Sequence, residues 1–428
     1  MRYHRNNKKP DSQIPRVERH DNVITIHSMN NPASVYSFLR VLQKGIENGI
    51  KSFVIVCDDG TVYPDACVPI AGVIAFYKEN YHISFLFKVE PNSYLEHCGF
   101  LNPFCSTVDE ISKEAFPFDK LYRYSSDEQV AALSQAYVDS LSSLTICSPG
   151  VLDSLNWCLS EIMDNVLLHS KADHGFVMAQ YHRTRKYVSI CVYDSGIGIY
   201  NSLRKSPHSP RKVTDAISLA IQEGVGDGKG QGNGLHGLYQ IISENNGTLT
   251  ITSGPASITW DNHGVMRKTT NLPRISSYFH ATAVDYRLNL DTSIDFKRAL
   301  DSIGRYEPFD IRIDSMLQDN DMIQYDVFSS SSGTATRESG ERLRNDILNT
   351  ITRTNKGIIL DFAGVKLASS SFVDELIAKL IIDLGPVNFN QVIRIINLDE
   401  TIKYLTDRSV FMRIHSEWSK KKRRRNGK

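Results

Sequence analysis

Leu152, Leu155, Leu159, Ile162, Val166 and Leu167 recur at helical spacing, which predicts an amphipathic helix over residues 154–170. Downstream the apolar period shortens to two. Residues 188–199, VSICVYDSGIGI, read as a strand that ends at Asp194 and then turns through Gly196 and Gly198. In the last third, 357–362 (GIILDF) predicts a short buried strand, 371–383 a helix and 391–397 (QVIRIIN) another strand. Ser371, with Asp374 three places on, approximates a capping box and sets the expected helix start. The same order of strand, turn, helix and strand appears near the N-terminus over 51–77, with a turn beginning at Gly60, followed by HISFLFKV. Laying Gly60 on Gly364 puts Asp65 opposite Ser369 and Ala66 opposite Ser370, an internal repeat that competes with ordinary α/β patterning.

Between these blocks, 116–124 is mixed and aromatic, and 127–143 predicts a helix that bridges onward or pairs with a second copy. Residues 259–277, rich in Asn, Pro, Ser and charge, read as an insertion before a closing strand, YFHATAVDYRLNL. The chain ends in KKKRRRNGK, a block of like charge expected to be disordered.

Chemistry concentrates in the middle. Glycine fills every second position from Gly224 to Gly234, and a backbone so bare can wrap phosphate with its amides pointing inward. Gly228-Lys229 has Glu223 and Gly230 where a P-loop needs Gly and Ser or Thr, so this is not a P-loop. Gly232-Asn-Gly-Leu-His-Gly237 fits GxGxxG but follows more glycine rather than a strand, which leaves a dinucleotide fold a minor reading. An aspartate at a strand end beside two glycines, as Asp194 is, can accept a hydrogen bond from a purine amino group. Glu161, Asn165 and His169 fall four apart on one helical face. A carboxylate there can orient or deprotonate a hydroxyl, and an amide oxygen one turn on can bind the hard cation Mg²⁺. Taken singly, Glu161 reads equally as a solvated helix residue, Asn165 as a local cap, His169 as a partner of the helix dipole, and the glycine run as a linker.

In order, E-x-x-x-N, D-x-G-x-G and G-x-G-L before a helix resemble the GHKL ATPases (gyrase, mismatch-repair ATPases, histidine kinases and anti-sigma serine kinases) over roughly residues 140–290. The form EIMDNVLLHS looks closest to the anti-sigma serine-kinase branch. The resemblance implies ATP and Mg²⁺ as cofactors, Glu161 as the catalytic base or water-orienting group, Asn165 as the metal ligand and Asp194 as the adenine contact. Gly196 and Gly198 would shape the adenine pocket. Lys229, Gly230, Gly232, Asn233, Gly234 and Leu235 would hold the nucleotide, and 200–231 would form a mobile lid in which Arg204, Lys205, Arg211 and Lys212 carry charge. The C-terminal third resembles the STAS fold of anti-anti-sigma factors, with Ser370 in the place of the phosphoacceptor and Ser369 where an acidic residue usually precedes it.

The expected fold class is α/β (α+β), a central GHKL sandwich flanked by two STAS-like α/β domains. The boundaries are a basic tail at 1–20, a STAS-like domain with a linker helix at 21–135, the ATPase domain at 136–290, a STAS-like domain at 291–413 and a basic tail at 414–428. At 428 residues, 41% of them hydrophobic, the chain can bury several cores, and a net charge of +1 argues against a body built wholly for nucleic acid. The basic tail leaves nucleic acid as a contact for that segment alone. With no apolar run long enough for a membrane span and no secretion signal, a cytoplasmic protein is expected. Its 7 cysteines form no CxxC pair and read as buried, reduced thiols.

Three functions follow. The first is ATP hydrolysis or phosphoryl transfer to a protein serine on a STAS domain, its own or that of a protein partner or homodimer. The second is an ATP-gated switch without kinase activity, suited to stress response or phage defence. The third, a sensor histidine kinase, needs a phosphoacceptor histidine ahead of the ATPase domain, and 127–143 contains none.

Overall fold

A computed structural model describes residues 16–58, 61–88, 93–204, 206–226, 232–300 and 310–426, with side chains described up to 415. Gly60, Lys205, Lys229 and Gly230 lie outside the described residues. The chain divides into two compact units: Met1–Tyr137 with Ser154–Tyr306, and Val138–Asp153 with Glu307–Lys428.

The first unit is layered on two sheets. Strands β1 (Val17–His20), β2 (Val23–Ile26), β3 (Ser52–Cys57) and β4 (Ser84–Lys88) lie in that order, β1 antiparallel to β2 and the rest parallel. Helices α1 (Ala33–Glu47) and α2 (Pro64–Tyr81) make the crossovers. The second sheet runs β10-β9-β8-β11-β7-β6-β5, all antiparallel. Its strands are β5 (Tyr122–Tyr124), β6 (Gly175–His182), β7 (Tyr187–Asp194), β8 (Thr248–Ser253), β9 (Ala256–Trp260), β10 (Met266–Thr270) and β11 (Thr282–Asn289). One face of this sheet carries α4 (Val151–His169), preceded in the chain by α3 (Asp127–Leu144), and α5 (Gly234–Glu244).

Helix α2 explains why the neighbouring strands are apolar on both faces. Its residues are buried almost all round, because one side packs on β3 and β4 and the other meets Phe176, Met178, Cys191 and Tyr193 of the second sheet. The approach is close: a Cβ on Gly72 would stand 2.2 Å from the Tyr193 ring. Alternation along β7 and β11 then turns Val192, Asp194, Thr282 and Val284 to the opposite face.

One local expectation is corrected. The segment 259–277 is not simply an insertion: it completes β9 and forms β10, an edge strand whose five residues are all exposed and so show no alternating pattern. Ahead of the expected boundary at 136, β5 pairs with β6, adding an edge strand of only three residues.

In the second unit, parallel strands β12 (Ile323–Asp326), β13 (Ile358–Asp361) and β14 (Ile393–Ile396) lie in chain order. Helix α6 (Arg337–Thr354) joins β12 to β13, and a helical run made of Ser370–Val373, a π-helical Asp374–Ala378 and Lys379–Leu384 follows β13. The sequence pattern places that helix but caps it wrongly. Ser369 is the N-cap, accepting from the Phe372 N–H at 3.0 Å, while Asp374 is drawn away by an ion pair to Arg413. The expected disordered tail is also corrected: α7 (Glu400–Asn426) continues through the basic run, where Lys and Arg are good helix formers placed at the favourable C-terminal end of the dipole.

The segment Val138–Asp153 belongs to this unit through buried polar contacts with α6. Asn349 Nδ2 donates to the Ser142 and Thr145 carbonyls at 2.8 Å each, and its Oδ1 accepts from the Cys147 N–H at 2.9 Å. Arg353 pairs with Asp153 and Asp310 at 2.8 and 2.6 Å. Six of the cysteines are buried, Cys105 is exposed and all are free. Among the described residues, no helix is long and apolar enough to cross a membrane.

Candidate nucleotide site

A cavity of about 350 Å³ opens between α4, the end of β7, β11 and the start of α5. Periodicity fixes one wall: Glu161, Asn165 and His169, spaced four apart, all line it. Asp194 faces it from the end of β7, Gly198 from the turn that follows, and Gly232, Asn233, Gly234 and Leu235 from the entry to α5.

Gly234 brings the motifs together most closely. A Cβ placed there would stand 2.6 Å from Glu161 Oε2 and 3.1 Å from Asn165 Nδ2. The first turn of an 11-residue helix, with its unpaired backbone N–H groups, thus meets a carboxylate and an amide. Burial, then Asp164, raises the Glu161 pKa, so this carboxylate is not a solvated surface charge. Asn165 Nδ2 is buried with no hydrogen-bond partner, an open valence that a surface cap would not leave.

Asp194 is 5% exposed. Burial pushes its carboxyl up to about 7, opposed by the Gly196 N–H, which donates to Oδ1 at 2.7 Å, and by the Thr282 hydroxyl. Gly196 does not line the cavity. It packs behind Asp194, where a Cβ would collide with the Ser170 carbonyl oxygen at 2.1 Å. Gly232 has φ +72°, and its Cβ would meet the Val225 backbone at 2.6 Å. The Asn233 side chain is engaged with the segment ahead of it, its Oδ1 accepting from the Gly224 N–H at 2.8 Å. Residues 200–226 of the expected lid contain helices Gly198–Leu203 and Val213–Ala220.

Among the lining residues that escaped the sequence reading are Trp157, Thr282 and Val284. Trp157 lies one helical turn before Glu161 and was legible by the same spacing. Thr282 and Val284 carry no local motif and arrive only because β11 pairs with β7, Thr282 opposite Asp194.

The donor set fits a magnesium-chelated nucleotide. Asn165 offers an amide, a hard oxygen ligand once its other atoms are placed, and the glycine entry to α5 leaves room for anionic oxygens beside it. Among the described residues no group of three or more His, Cys, Asp or Glu side chains could hold a metal ion, so phosphate oxygens would have to complete the coordination.

Residues 150–270 match the family model of the histidine kinase-, DNA gyrase B-, and HSP90-like ATPases, and residues 339–403 match that of a STAS-like domain of unknown function. Neither a curated protein nor a solved structure gives a significant match. The matched segments cover α4 through β10, with the cavity's Glu161, Asn165, Asp194 and glycine entry, and α6 through the start of α7. The chain therefore carries a GHKL-type ATPase domain, of the ATP-binding ATPase and kinase superfamily, together with a C-terminal STAS-like domain.

Proposed function

We propose that the chain binds ATP with Mg²⁺ in this cavity and directs a hydroxyl onto the γ-phosphate, as an ATPase or a serine kinase of the anti-sigma type acting on a STAS-like domain. The carrying observation is the juxtaposition of Glu161 and Asn165 with Gly234 in the cavity that also contains Asp194. Asp194 reads the adenine amino group. Gly232 and Gly234 admit the phosphates to the helix N-terminus beside Asn233 and Leu235, and Lys229 and Gly230, outside the described residues, would add to the same contact. Asn165 holds Mg²⁺, which when bound neutralises phosphate charge. Glu161 accepts the proton of the attacking water or serine hydroxyl.

The proposed acceptor is Ser370, in this chain or in a partner. It is exposed at the first turn of its helix and lines a surface cleft with Ser371, Asp374, Arg337 and Arg408. A relation of the N-terminal layer to STAS domains is supported by its strand and helix order, β2-α1-β3-α2-β4, the same as in the second unit from β12 to β14. Partner switching, a homodimer and a cytoplasmic setting complete this reading.

A second reading, an ATP-gated switch without protein transfer, is favoured by the double burial of the sheet. A shift in β7 or β11 on nucleotide binding would reach the N-terminal layer directly.

Incubation with γ-labelled ATP and Mg²⁺ separates the two. Label on protein that is lost in E161A and S370A supports the kinase, free phosphate alone supports hydrolysis, and no nucleotide binding at all sinks both. Unchanged Mg²⁺-dependent binding in N165A would refute the metal assignment.

A further inference from the structure

The face of the seven-stranded sheet turned away from the nucleotide holds a second cavity, of about 50 Å³, closed by α1 and α2. Two carboxyl groups line it, Asp65 from the first turn of α2 and Asp285 from β11. The Ala66 N–H donates to Asp65, but Asp65 Oδ1 is sealed from solvent with no hydrogen-bond partner. An oxygen so placed is a costly seat for negative charge, and a second carboxylate on the same small cavity raises that cost.

The remaining walls give little relief. Tyr36 from α1, with Cys191 and Tyr193 from β7, are neutral because burial raises all three. Burial, then Arg274, lowers the His280 pKa, leaving it neutral at pH 7. Arg287 of β11, stacked 4.2 Å from the Tyr187 ring centre, offsets only part of the burial. Both carboxyls therefore stand above the usual carboxylate range, Asp285 by burial first and then by Asp65.

We propose that Asp65 and Asp285 are not both ionised in the folded chain at neutral pH, making the seam between α2 and the ATPase sheet a joint that tightens in acid and loosens as the retained proton leaves to solvent. Because folding raises these groups, the stability they allow is complete below the unfolded aspartate range and is lost as pH rises through the folded values. The seam bears on the other face of the sheet. Tyr193 of β7 is the immediate neighbour of Asp194, and Asp285 alternates along β11 with Val284 and Thr282 of the nucleotide cavity.

Thermal melting of the nucleotide-free full chain, of D285N and of D65N, from about pH 5 to about pH 8.5, tests this. The wild-type Tm should fall by several degrees with rising pH, while each variant gains at the alkaline end and merges with wild type in acid. Variants that run parallel to wild type at every pH, or a flat wild-type curve, overturn the proposal. Should neither variant fold, urea midpoints of D194N, which lacks the other raised carboxyl of this sheet, decide. A persisting fall with pH supports a proton retained by this carboxyl pair, and its disappearance overturns it.

Discussion

Gly234 and Glu161 are in such close register that a single added methyl would stand 2.6 Å from the carboxylate oxygen, at the point where a helix N-terminus meets that side chain. Gly234→Ala should therefore weaken ATP binding by at least about tenfold, or about 1.4 kcal/mol, with little change in the melting of the empty chain. Titration calorimetry beside a melting curve checks this. Unchanged affinity would mean that phosphate does not pass Gly234.

With Asp194 as the proposed adenine contact, nucleotide affinity should depend on pH. The ionised carboxylate is the stronger acceptor for the adenine amino group, and in the empty chain its pKa is raised to about 7. Affinity should fall below pH 7, approaching about tenfold per unit, and binding at neutral pH should release protons. Calorimetry in buffers of different ionisation enthalpy measures that release. The empty chain has the opposite sign: a raised folded pKa means that stability is lost as pH climbs towards 7, so D194N should melt higher than wild type at pH 8.

Trp157 lines the cavity and is 4% exposed, whereas Trp260 of β9 packs against Tyr239 of α5. ATP should alter tryptophan emission in wild type, and W157F should lose most of that change while still binding nucleotide. A full-sized response in W157F would place the nucleotide elsewhere.

The Arg353 side chain is 7% exposed between two carboxylates, Asp310, which is buried, and Asp153, which is 11% exposed. Removing the guanidinium strands both charges, so R353A should cost about 3–5 kcal/mol in urea unfolding of the second unit. A loss within the range of an exposed pair, below about 1 kcal/mol, would show that solvent reaches the site.

The elements that bear the chemistry were legible because their signals are local. The spacing from Leu152 to Leu167 made α4 amphipathic and set Glu161, Asn165 and His169 on one face. The alternation of VSICVYD ended β7 at Asp194, and Gly232 and Gly234 stand where an added Cβ would meet backbone or the Glu161 carboxylate. Even the misplaced cap at Ser371 was off by only two residues, since three consecutive serines offer nearly equal hydroxyls and only the backbone at Ser369 is extended.

Side chains that act through distant partners were not legible. Thr282 enters the cavity because β11 lies beside β7, and Asp65 meets Asp285 because α2 is pressed between two sheets; no spacing within either segment encodes these meetings. Strand β10 was hidden because an exposed edge needs no apolar face. The fate of residues 138–153 likewise rests on Asn349 and Arg353, about 200 positions away. By itself the sequence determined the helix and strand periods and the residue types able to handle phosphate, since these depend on neighbours a few bonds apart. Which carboxylates lose their water, and which strand closes the pocket, was decided only by tertiary packing, because desolvation and strand pairing are properties of surfaces brought together from far along the chain.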